Sequence, residues 1–197
     1  MGSSSKYWDT NQEFHKSKFD KALDYKFFLK TGTESEASRW QSVYDRVALT
    51  DDQKGLLSSF TRKMNVLCMV TITCGDCVRQ CPILYRIAEA SSAIDLRFLN
   101  RDENPDLRDH LRLLGGARVP VALFLSEDFF EFARFGDRTL STYRKMAAEQ
   151  LGPACPAGII PPKDDELAIL AQEWIDIFER VQLALRLSPM LRERYKD

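Results

Sequence analysis

The spacing of apolar residues changes twice along this chain and divides it into three parts. In residues 1–64 the rhythm is helical. Phe19, Ala22, Leu23 and Phe27 make one stripe, and Ala37, Trp40, Tyr44, Val47 and Ala48 a second. Thr50-Asp51-Asp52-Gln53 reads as a capping box opening a third helix, with Leu56, Leu57, Phe60 and Met64 on its apolar face. Gly32 and Gly55 are weak punctuation. Between 65 and 152 the pattern alternates between strand and helix. The run 65–73 is β-branched and apolar enough to be a buried strand. After Cys74, helical spacing places Val78, Ile83, Leu84, Ile87 and Ala88 on one side. Residues 94–99 predict a second strand. Asn104-Pro105 opens a short helix through Leu114, which Gly115-Gly116 ends. Val119 to Leu125 predicts a third strand, Ser126-Glu127-Asp128 a turn, Phe129 to Phe135 a fourth strand, and 139–151 a last helix led by Gly136 and Asp137. The first two strands should be parallel with a right-handed crossover, and the hairpin pair antiparallel. Residues 152–162, rich in Gly and Pro, read as a linker. Beyond it Leu167, Leu170, Ala171, Trp174, Phe178, Val181 and Leu185 form a strict helical stripe that Ser188-Pro189 stops. The stripe must pack on the core, on the N-terminal helices or on another subunit. The charged tail, Arg192 to Asp197, reads as a solvated end.

Composition narrows the picture. With 197 residues, 44% of them hydrophobic, the chain can bury one sizeable core. The expected organisation is one compact domain: a helical extension over 1–64, an α/β core over 65–152, and a linker with a C-terminal helix over 153–197. Lys and Arg total 28 against 29 acidic residues, which gives no support to a nucleic-acid or anionic-membrane partner. No apolar stretch is long enough to span a bilayer, and the N-terminus lacks the apolar core of a secretory signal. Five cysteines is an odd number, spaced as no disulfide framework would be, so a cytoplasmic protein with reactive thiols is expected.

The chemistry centres on Cys74-Gly75-Asp76-Cys77, at the junction of the first predicted strand and its helix. Two cysteines separated by two residues in that context read as a thiol–disulfide redox motif. The first turn of a helix offers unpaired N–H groups and a positive dipole end, and both favour a thiolate, the form that attacks disulfides. Cys81 lies one turn past Cys77, so a zinc or iron–sulfur reading competes. It lacks a fourth ligand, since Cys155 is remote in the linker and neither histidine is near in sequence. No metal and no bound cofactor are therefore expected. Cys68 and Cys81 read as small buried hydrophobes and Cys155 as inert. His15 and His110, on charged helical segments, read as solvated. Arg138 reads as satisfying the start of the last helix, and Trp40 and Trp174 as core anchors.

These features together resemble the thioredoxin superfamily over residues 65–152. Cys74-Gly75-Asp76-Cys77 stands where thioredoxins have Cys-Gly-Pro-Cys. Pro82 falls where their redox helix carries its kinking proline. Leu99-Asn100-Arg101-Asp102-Glu103-Asn104-Pro105 looks like their Leu-Asn-x-Asp-x-Asn-Pro segment. Arg118-Val119-Pro120 is similar to their loop with a cis proline facing the redox pair, and Gly136 matches the glycine before their last helix. The flanking helices are not thioredoxin-like. The resemblance implies a thioredoxin-like fold, a four-stranded mixed sheet flanked by helices. It makes Cys74 the nucleophile and Cys77 the resolving thiol. Thr73, Gly75, Asp76, Val119 and Pro120 would line the substrate groove, with the Val119 backbone pairing to an extended substrate segment.

Four positions depart from the resemblance. Cys68 stands where thioredoxins keep a buried Asp and Phe98 where they keep its Lys partner, so the usual proton acceptor is missing. Thr73 replaces the Trp before the first cysteine, making the groove less apolar. Asp76 replaces the intervening Pro, and its carboxylate should raise the Cys74 pKa and make the pair more reducing than oxidising. The expected activity is a cytoplasmic thiol–disulfide oxidoreductase that reduces protein or small-molecule disulfides. Its electrons would come from a reductase or a low-molecular-weight thiol. The competing expectation is a non-catalytic thioredoxin-like module, binding a partner or a second copy through the flanking helices, with a vestigial or switch-like cysteine pair.

Overall fold

The computed structural model describes residues 6–151 and 166–196. The predicted linker and Cys155 lie outside the described residues. Four strands form one sheet: β1 (Met64–Val70), β2 (Ile94–Asn100), β3 (Val121–Ser126) and β4 (Glu131–Gly136), in the order β2-β1-β3-β4. The β1–β2 pair is parallel, and β1–β3 and β3–β4 are antiparallel, as the sequence pattern predicts. β1 is buried along its whole length, which explains its unbroken apolar run.

The helices before β1 are α1 (Gln12–Lys21), α2 (Tyr25–Leu29), α3 (Glu34–Arg46) and α4 (Asp51–Ser58). Thr50 caps α4 in a full capping box, and Thr33 does the same for α3 with Glu36. Gly55 sits inside α4. Phe60 and Met64, read as part of its stripe, instead lie beyond it, with Met64 opening β1. The stripe from Phe19 to Phe27 is not one helix. The chain breaks at Leu23, whose amide and carbonyl bond those of Phe98 at 2.9 and 2.7 Å. Leu23 thus occupies hydrogen-bonding groups on the outer edge of β2, which would otherwise be free to pair with another chain.

Between β1 and β2 runs α5 (Gly75–Glu89), with Pro82 inside it. Next come α6 (Pro105–His110), shorter than its predicted extent to Leu114, and α7 (Leu140–Leu151). α8 (Glu166–Leu187) carries the predicted apolar stripe. Ser188 stops α8 and caps α9 (Pro189–Tyr195). Arg192 to Lys196 are exposed, as expected of the charged end, and two of them, Arg194 and Tyr195, bond the Asp128 carboxylate at 2.6 and 2.7 Å.

Register assigns the two faces. Cys68 pairs with Phe98 and Ala122, so these side chains share one face with Phe124. On that face Phe98 meets Tyr25, Phe28 and Trp40, while Phe124 meets Phe178 of α8 at 5.0 Å. α5 packs there between α3 and α8. Arg97 points to the opposite face, where its guanidinium lies over Phe19 of α1. α6 joins α1 on that side through Lys18 and Asp106, 2.7 Å apart. Trp40 and Trp174, at 0% and 2% exposure, are the core anchors expected. Phe98 is apolar because the N-terminal aromatic residues cover it, and a lysine there would be buried without a counter-charge.

Candidate active site

Cys74 is the N-cap residue of α5, in an extended conformation. Its amide bonds the Thr71 carbonyl at 3.2 Å and its carbonyl accepts from Val78 at 2.9 Å, so the sulfur stands at the start of the helix. The segment before it is held from the N-terminal extension: Trp40 Nε1–H donates to the Ile72 carbonyl at 2.9 Å. Cys74 is partly exposed, whereas Cys77, one turn in, is fully buried. Thr73 and Gly75 are exposed and Asp76 is half-buried. The Val119–Pro120 peptide is cis, and the Val119 carbonyl lies 3.7 Å from Cys74 Sγ. The structure thus gathers Cys74, Cys77, Val119 and Pro120 at the C-terminal end of β1, with Thr73, Gly75 and Asp76 on the intervening backbone.

The Cys74 and Cys77 thiols act on each other's ionisation. The Cys74 thiol is pushed up, chiefly by Cys77 and by burial. Burial also opposes charge on Cys77, but Cys74, Cys81 and the Thr71 backbone outweigh it and bring Cys77 down. The proton is therefore held more tightly at Cys74 than at Cys77. Asp76 acts differently from the sequence expectation. Its backbone N–H favours the Cys74 thiolate, and its carboxylate disfavours charge on Cys77. That carboxylate is also paired, at 2.6 Å, with Arg138.

Arg138 is a site residue that sequence reasoning missed, having been assigned to the helix start. Asp137 beside it is buried and takes hydrogen bonds from Tyr143, from Arg118 at 3.1 Å and from Arg138 at 3.3 Å. Gln80 of α5, also buried, donates to the Asp137 carbonyl at 2.8 Å. The first turns of α5 are thereby tied to the β4–α7 junction. Arg101, its guanidinium held by Asp102, lies within electrostatic reach of both Cys74 and Cys77. It belongs to the segment that resembles the thioredoxin pattern, but nothing in the spacing indicates that it turns toward the thiols. Behind Cys77, Cys81 and Cys68 are fully buried, and Cys77 and Cys68 both oppose charge on Cys81. Four thiols thus follow one another from surface to sheet.

His15 and His110 are not the solvated residues expected. His15 is fully buried and its Nε2 meets that of His110 at 3.3 Å, on the face opposite α5. Among the described residues no helix is long and apolar enough to cross a membrane.

A family model described as thioredoxin matches residues 22–150. The match begins before α2, so α2 to α4 lie inside it, although the sequence resemblance covers only 65–152. A crystal structure of an HIV epitope scaffold is similar with a TM-score of 0.59 and 19% identity, over 86% of this chain and 93% of that one. A crystal structure of a protein of unknown function from Pseudomonas aeruginosa gives a TM-score of 0.56 and 21% identity, over 85% and 91%. At these identities the likeness concerns the fold alone. Among curated proteins nothing matches.

Proposed function

This chain belongs to the thioredoxin family, and from that premise we propose that it is a thiol–disulfide oxidoreductase cycling Cys74 and Cys77 between dithiol and disulfide. The observation that carries the reading is the pairing of a partly exposed Cys74 at the start of α5 with a buried Cys77 one turn in. The Cys74 thiolate attacks one sulfur of a substrate disulfide. A Cys74–substrate bond forms, and the other substrate sulfur leaves with the electron pair and takes a proton. Cys77 then attacks the Cys74 sulfur, releasing the second substrate thiol and closing the Cys74–Cys77 bond. Two electrons pass from the protein to the substrate. An external reductase or small thiol returns them, so no bound cofactor is needed.

Val119 and Pro120 offer backbone to an extended substrate, and Thr73, Gly75 and Asp76 line its path. The Asp76–Arg138 pair puts charge at the rim of the groove, which suits polar rather than greasy segments around the target disulfide. In the reducing cytoplasm the dithiol would be the resting form. Cys68 takes the place of the family's buried acid and Cys81 neighbours both it and Cys77, so the resolving sulfur has a neutral thiol beside it.

Reduction of insulin or glutathione disulfide by wild type and by Cys74→Ser tests the reading. Wild-type turnover abolished by the substitution supports it, and equal inactivity of both proteins refutes it. The binding-module reading draws on Cys68 and Phe98, buried and neutral where an acid and its lysine partner would assist resolution. It predicts that equal inactivity.

A further inference from the structure

His15, His110 and Glu131 converge from three separate elements: α1, the last residue of α6, and the first residue of β4. One ligand atom from each lies within 4.8 Å of the other two. His15 Nε2 is 3.3 Å from His110 Nε2 and 3.8 Å from Glu131 Oε2. In a tetrahedral zinc site with bonds of about 2.0–2.1 Å, neighbouring ligand atoms stand about 3.3–3.4 Å apart. The two imidazole nitrogens already have that spacing, and Glu131 Oε2, at 3.8 Å, is about half an ångström beyond it from His15 Nε2. Two histidines and a glutamate are also a donor set that zinc takes, with water in the fourth position.

The surroundings fit a cation. His15 is at 0% exposure, so the ring is held in place by packing and by what its Nε2 meets. Burial lowers the pKa of both imidazoles, favouring the neutral form that ligates a metal. Asp9, whose Oδ2 accepts from the Glu131 amide at 2.8 Å, adds negative potential that both histidines feel. Arg134 opposes it. Its Nε and Nη2 grip the two Glu131 oxygens at 2.7 Å each, and Nη2 is 3.5 Å from His110 Nε2. Its Nη1 is anchored separately on the His110 carbonyl at 3.0 Å. A metal would take Oε2 from Nη2 and leave Oε1 with Nε, so that Arg134 becomes the outer partner that orients the ligating carboxylate.

The geometry points to a zinc-class divalent metal site formed by His15, His110 and Glu131, which fastens α1 to the α6–β4 side of the sheet. It lies on the face opposite α5, away from the thiols, and it stands whether or not the cysteine pair is catalytic.

The test uses full-length protein carrying Cys74→Ser and Cys77→Ser, so that the paired thiols cannot compete for the metal. Equilibrium dialysis against Zn²⁺ should give one ion per chain. His110→Ala and Glu131→Gln, both at partly exposed positions, should each weaken uptake at least about tenfold, since first-sphere losses should match or exceed the effect of losing an outer partner. Co²⁺ in place of Zn²⁺ should give a tetrahedral spectrum without thiolate charge-transfer bands. In the otherwise unaltered double-serine protein, Zn²⁺ should slow amide exchange in α1, a readout independent of whether the ligand variants fold. Absence of saturable uptake, uptake untouched by both ligand substitutions, thiolate bands in the cobalt spectrum, or unchanged exchange in α1 would each overturn the assignment.

Discussion

Replacing Gly136 by alanine probes how tightly the end of β4 is built against the loop that faces Cys74. A Cβ at this position would stand 2.4 Å from the Pro120 carbonyl oxygen and 3.0 Å from Val121 Cγ2. The first contact is about 1 Å short of ordinary packing and is made by backbone, which cannot rotate away as a side chain could. Gly136 and Val121 are also register partners, so the strand pair has to open or the Val119–Pro120 segment has to move. Overpacking of this kind costs roughly 1–3 kcal/mol, and a backbone obstacle belongs in the upper half of that range. A loss of about 2–3 kcal/mol lowers Tm by about 4–12 °C in a chain of this size. The same displacement moves the Val119 carbonyl relative to Cys74 Sγ, now 3.7 Å away. Misplacement by about 1 Å can cost about a hundredfold in rate, so disulfide reduction should fall about 10- to 100-fold. Thermal unfolding and insulin reduction measure the two effects. Gly55→Ala is the control. A Cβ there meets nothing within 4 Å, and α4 should gain about 0.4–1 kcal/mol. Wild-type Tm and wild-type turnover in Gly136→Ala would refute the reasoning.

Other expectations follow from the same contacts. Trp40→Phe leaves the Ile72 carbonyl without its donor and should cost about 1–3 kcal/mol before any loss of packing, read by urea unfolding. Alkylation of Cys74 by iodoacetamide should rise with a midpoint above that of a free cysteine, because Cys77 and burial both push the Cys74 thiol up. Arg138→Gln should move the ionisation of the Cys77 thiol, read by thiolate ultraviolet absorbance, to higher pH, because the Asp76 carboxylate, freed of its partner, repels the thiolate on Cys77. Asp137 is held below the ordinary carboxylate range: burial opposes its charge, but hydrogen bonds from Tyr143, its own amide and Arg118 prevail. Its contribution is therefore complete above an ordinary carboxylate pKa of about 3.9 and is lost as pH falls through the lower folded value. Asp137→Asn should flatten the acid limb of a stability–pH profile, and an unchanged limb would count against the network.

How much of this could be read from the chain depends on how far apart the interacting residues lie. β1, the Thr50 capping box and the start of α5 are written in residues a few positions apart, and local pattern sufficed. Thr33-x-x-Glu36 carries the same capping signature as Thr50-x-x-Gln53 and could have been found the same way. The break at Leu23 could not, because helical spacing continues across it and only the edge of β2 competes for its backbone. Asp76 looked like an unpaired charge beside a thiol because Arg138, its partner, comes from the far side of the sheet hairpin. His15 and His110, each polar among charged neighbours, gave no sign of meeting. Phe98 shows the converse case. Its departure from the family pattern was visible at once, whereas its reason, the cover supplied by Tyr25, Phe28 and Trp40, is tertiary.

The central claim is that Cys74 attacks and Cys77 resolves. Trapping tests it directly. Cys77→Ser protein incubated with a disulfide substrate should accumulate a mixed disulfide at Cys74, identified by peptide mass, while Cys74→Ser should accumulate none and wild type should pass through it to a Cys74–Cys77 bond. A trapped adduct at Cys77 or Cys81, or no adduct in Cys77→Ser under conditions that oxidise a free thiol, would contradict the account.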